Sequence, residues 1–119
     1  MSTADLGGPL LASVSRSFYL TIRLLPAALR APIGLAYLLA RASDTIADSA
    51  EAPAAVRVRH LAAFAAMIHR GHAEGLADLQ REITPPDAGE RELIARLDRC
   101  LAWLAALPAA DRADRKSVV

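Results

Sequence analysis

Residues 32–49 read PIGLAYLLARASDTIADS, and their spacing decides the fold. At about 100° per residue, Leu35, Leu38, Leu39, Ala42 and Ile46 fall on one side and form a stripe fit for a core. The apolar residues do not alternate, so a half-buried strand is excluded. Tyr37, Arg41, Asp44 and Asp48 recur at i, i+4, i+7 and i+11, which puts all four on one narrow strip on the opposite side. The flanks are Gly34, Ala36, Ala40, Ser43, Thr45 and Ala47, all small. A solvent face is normally broad and rich in Lys and Glu. This stretch has neither, so the strip reads as the lining of a cavity between helices.

The rest of the chain extends the helical pattern. Pro32 and Pro53 stand where apolar-periodic segments begin, in the first turn where a missing N–H costs nothing. The spacing predicts helices over 10–24, 32–49 (after a short turn or helix at 26–30), 53–70, 76–83 and 88–107, with Gly71 ending or bending the third. Thr84, Pro85 and Pro86 mark a loop. Glu90 and Glu92 stand at the positive end of the last helix. The fold class expected is all-α.

Composition narrows the function classes. Of 119 residues 54% are hydrophobic and 23% charged, a globular profile. Fourteen Lys plus Arg against thirteen Asp plus Glu give no basic surplus, so no nucleic-acid partner is expected. The one cysteine, Cys100, excludes an internal disulfide and any multi-cysteine zinc site. Its apolar neighbours make it a buried small hydrophobe, and Trp103 and Leu104 read as core. Arg16, Arg23, Arg30 and Arg41 interrupt the first half too often for a spanning helix of about 20 apolar residues. No transmembrane helix and no signal peptide are expected, and a cytoplasmic location follows.

Two carboxylates at i and i+4 repel each other, and in a cleft they need compensation. Mg²⁺ supplies it, since it takes one or two carboxylates together with waters and phosphate oxygens. Arg41, one turn before Asp44, can pair with the carboxylates or reach a phosphate oxygen. The competing reading is a surface ion pair of Arg41 with Asp44. Asp78 and Glu82 share the i,i+4 spacing but lie in a charged segment beside the proline loop, and read as surface. His69 and His72, with His60 nearby, lack an acidic or cysteine partner and read as solvated histidines at a helix end.

A second stretch joins the first. Ser15-Arg16-Ser17-Phe18, then Leu29-Arg30, Tyr37, and Arg41 through Asp48 in the order RASDTIAD together resemble the squalene/phytoene synthase family, the head-to-head branch of the trans-isoprenyl diphosphate synthases. The resemblance implies that Asp44 and Asp48 hold Mg²⁺ against the substrate diphosphate. It places Arg41 and Tyr37 at the diphosphate end of the pocket, as catalytic and substrate-binding residues. By the same resemblance Ser15, Arg16, Ser17 and Phe18 close over the substrate. Thr45 and Ala47 depart from relatives that carry acidic residues there, which lowers the local negative charge. The implied reaction joins two farnesyl or geranylgeranyl diphosphates to a squalene- or phytoene-type product, with NADPH used only by the squalene type. Peripheral membrane contact for the apolar product is compatible with it.

The family fold is a longer helical bundle whose second aspartate-rich helix faces the first, and these 119 residues hold no such second motif. Residues 1–113 are therefore expected to be the N-terminal part of that isoprenoid-synthase bundle, with the isolated piece inactive. Residues 114–119, DRKSVV, break the Ala/Leu pattern and read like translated sequencing-adapter DNA. Two alternatives stay open at this stage: a non-catalytic helical module binding a basic partner, and another class I terpenoid synthase. Those synthases more often carry DDxxD.

Overall fold

The computed structural model describes residues 20–107. Leu20 to Ile22 are helical and close with a turn. Five helices follow: α1 (Ala27–Ala47), α2 (Ala54–Arg70), α3 (Leu76–Glu82), α4 (Ala88–Ala95) and α5 (Leu97–Ala106). There is no strand among the described residues, as an all-α chain requires.

The central element is α1, which packs against α2, α4 and α5. Leu35, Leu38, Leu39, Ala42 and Ile46 are all buried at 1% exposure or less, the stripe that the spacing defines. Against it lie Phe64, Met67 and Ile68 of α2, Leu79 of α3, Leu93 and Ile94 of α4, and Leu97, Cys100, Trp103 and Leu104 of α5. Cutting any of the large residues back to alanine removes apolar contact and leaves a cavity, at a cost of about 2–5 kcal/mol each.

The start of α1 differs from its sequence expectation. Pro26, not Pro32, precedes the first helical residue, and Pro32 is inside the helix. A proline there withholds one N–H from the ladder. The carbonyl it leaves without a helical donor belongs to Ala28, which is exposed and can bond to water. The helix therefore continues back through residues 27–31 as a single rod.

The last helix differs as well. Instead of one rod over 88–107 there are two, separated at Arg96 (φ −110°, ψ 17°). No proline or glycine stands there. The Gln80 side-chain amide of α3 donates to the carbonyl oxygens of Ile94 (3.0 Å) and Ala95 (3.3 Å). An unbroken helix would offer these carbonyls to the N–H groups of Asp98 and Arg99. Arg99 N–H instead bonds to Arg96 O at 3.0 Å. A side chain inserted into the i→i−4 ladder is a recognised cause of such breaks.

Between α2 and α3, Gly71 ends α2 in the left-handed region at φ 72°, its N–H on Met67 O. His60 is buried at 3% exposure, unlike the solvated histidine expected, and its Nε2 lies 2.6 Å from Glu82 Oε1. Arg59 donates to the same oxygen at 2.8 Å. The His60 hydrogen bond, followed by the charge of Arg59, holds the Glu82 carboxyl below its ordinary value. His69 is exposed and His72 half-buried. Burial, with a smaller push from Asp98, drives the Cys100 thiol up to about 12.

Candidate active site

The polar strip of α1 ends where the helix ends. Asp44 lies in its last full turn and Asp48 is the C-cap, its backbone N–H on Asp44 O at 2.9 Å, so the two carboxylates remain one turn apart. Both are exposed. Nearby, Arg57 of α2 donates from Nη1 to Ala47 O at 3.3 Å, setting a cation at the negative end of α1.

Tyr37 and Arg41 are half-buried, so the strip is not uniformly walled as its sequence suggested. The reason is angular. At about 100° per residue, Thr45 stands about 40° round from Arg41 on one side and Asp44 about 60° round on the other. The Thr45 side meets Glu90 of α4 and is buried, while Asp44 is exposed.

What α4 brings is Glu90, which sequence reasoning treated only as helix-end charge. Asp87 caps α4, accepting from the Glu90 N–H at 2.9 Å. In a full capping box the third residue's carboxylate would turn back to the cap N–H. Glu90 instead reaches across to α1, where its Oε2 accepts the Thr45 hydroxyl at 2.6 Å and lies 4.0 Å from Arg41 Nη2. The D-x-x-E pattern of residues 87–90 signals the cap, but no local signal shows that the carboxylate crosses to a residue 45 positions away.

A groove of about 480 Å³ opens beside these groups. Thr45, Asp48, Glu51, Thr84, Pro85 and Glu90 are among its lining residues. The Thr84 N–H bonds to Glu51 Oε1 at 3.1 Å and holds the proline loop against the end of α1. The volume falls within the range of small-ligand clefts, about 300–1,000 Å³.

Ser15, Arg16, Ser17 and Phe18 lie outside the described residues, so the structure brings together four of the eight expected site residues on one helix. For the metal, the donors are hard carboxylate oxygens open to solvent, the type Mg²⁺ selects. No cluster of three or more His, Cys, Asp or Glu able to hold a metal occurs among the described residues. The donor set fits an ion that completes its shell with water and substrate oxygens, and does not fit one held in an all-protein cage.

The described residues thus form an all-helical body that carries an exposed i,i+4 aspartate pair with an arginine one turn before it. The sequence profile of squalene/phytoene synthase matches residues 11–118, and the chain belongs to that family. The family makes transfers in isoprenoid synthesis and takes isoprenoid diphosphates as substrates. No curated protein matches the chain, and no solved structure does. No described helix is long and apolar enough to cross a membrane.

Proposed function

We propose that the chain supplies the first diphosphate-binding half of a prenyltransferase that condenses two allylic prenyl diphosphates head to head, farnesyl or geranylgeranyl. Asp44 and Asp48 hold Mg²⁺ against one diphosphate. Arg41 and Tyr37 line its phosphate end, and Ser15, Arg16, Ser17 and Phe18 cover the substrate. The observation that carries this reading is the position of the aspartate pair. It is exposed at the end of a helix whose other face is the centre of the core, and no cation among the described residues pairs with it. Two carboxylates one turn apart with no cationic partner repel each other modestly, and a bridging cation relieves that repulsion.

The chemistry follows from charge. Bound Mg²⁺ would neutralise charge that builds on the departing diphosphate. Arg41 adds a fixed positive charge half-shielded from water, where it acts more strongly than in bulk solvent. A grip with one aspartate-rich helix holds one diphosphate, so residues 1–113 alone are proposed to bind substrate without turnover. Residues 114–119 take no part in this reading.

Calorimetric titration with a non-hydrolysable farnesyl diphosphate analogue tests it. Binding that requires Mg²⁺, disappears with chelator and is lost in Asp44→Ala or Asp48→Ala is expected. Binding of equal strength without a divalent cation would sink the reading.

A further inference from the structure

The geometry points to Glu90 as the positioning residue for Arg41 in the diphosphate grip. This inference rests on the proposed function and deepens it.

Glu90 Oε2 is shared between the Thr45 hydroxyl at 2.6 Å and Arg41 Nη2 at 4.0 Å. The Thr45 bond is short, and Thr45 itself is buried at 2% exposure, so the carboxylate is anchored from below. Arg41 is 38% and Glu90 23% exposed in the side chain, so the pair is partly shielded and still open to solvent. Arg41 Nε is buried and has no hydrogen-bond partner, so Glu90 is the one acid that restrains this head group among the described residues. The buried Nε–H is out of an incoming anion's reach, but a single oxygen at 4.0 Å from Nη2 leaves the donors of the two terminal nitrogens unclaimed.

The separation also shows why Glu90 positions and does not neutralise. A bidentate pair would occupy the edge that a phosphate needs. At 4.0 Å the attraction sets the direction of a long, rotamer-rich side chain while leaving the donors free. Fixing that direction before the ligand arrives saves ordering cost on binding. Glu90 is not proposed as a metal ligand, since no three-acid cluster able to hold an ion is formed.

The sign of the effect separates this role from its rivals. A carboxylate that merely stands near the site repels an anion, so removing its charge would tighten binding. A positioning carboxylate does the reverse. The test is titration of inorganic pyrophosphate in the presence of Mg²⁺ into the full chain and five variants, with helicity checked by circular dichroism. Glu90→Gln should weaken binding about threefold to fivefold, the scale of a partly exposed ion pair. The same change made in an Arg41→Ala background should have no further effect. Thr45→Val should weaken binding about twofold, and Thr45→Ser should restore the wild-type value, because only the serine keeps the anchoring hydroxyl. Tighter or unchanged binding in Glu90→Gln, or an equal loss with and without Arg41, overturns the assignment while the grip itself stands. Failure of the unaltered chain to bind pyrophosphate with Mg²⁺ overturns both.

Discussion

Two acidic pairs of the same i,i+4 spacing lie along helices, Asp44 with Asp48 at the end of α1 and Asp78 with Glu82 on α3, and the fold treats them in opposite ways. On α3 each acid is spent locally: Asp78 on Arg81 at 2.5 Å, Glu82 on Arg59 at 2.8 Å and on buried His60 at 2.6 Å. On α1 both carboxylates are exposed, and the nearby cations serve other partners, Arg41 facing Glu90 and Arg57 the Ala47 carbonyl. Spacing therefore says only that two acids share a face. Whether they form a site depends on what the neighbouring helices bring to that face.

The largest difference between the pairs should be in ligand binding. Asp44→Ala or Asp48→Ala should lower Mg²⁺-dependent binding of a diphosphate analogue about 100-fold with unchanged helicity, whereas Asp78→Asn should leave it as it was; calorimetry reads both. Equal losses from the two helices would erase the contrast.

Next comes the body that holds the first pair in place. Leu39→Ala, at a site 1% exposed under α1, should cost about 2–5 kcal/mol in urea unfolding. A smaller value would mean that α1 is not the fixed platform the site needs.

The α3 pair predicts an acid limb in place of a ligand. The Glu82 carboxyl is held below its ordinary value in the folded state, so its contribution to stability is complete above the ordinary value and is lost as pH falls through the lowered one. Unfolding midpoints should drop in that acidic window, and Glu82→Gln should flatten the drop. The smallest effect belongs to Asp78→Asn, whose surface pair with Arg81 should be worth less than about 0.5 kcal/mol by thermal melts.

The helical class and the α1 core stripe were legible because both follow from a 3.6-residue period, which is a local property. Asp44, Asp48, Arg41 and Tyr37 were legible as a strip for the same reason. Glu90 was not, because its role depends on α4 meeting the Thr45 flank. The break at Arg96 was hidden likewise: residues 88–107 have unbroken helical periodicity, and the interrupting amide comes from Gln80 on another helix. His60 reads as solvated because no acidic partner stands near it in sequence, and its partner Glu82 is 22 residues away. Pro32 reads as a start because a first-turn proline and an interior one look alike in sequence, and the helix in fact runs back to Ala27.

The buried thiol of Cys100 gives the molecule a clock. Alkylating and oxidising reagents attack the thiolate, and a group that holds its proton to about 12 inside the core offers almost none at neutral pH. Because the chain has no other cysteine, each labelling event marks a molecule whose core has opened around α5. The rate of modification then counts openings of the bundle one by one, and any ligand that stabilises the closed bundle would be heard as a slowing of that count.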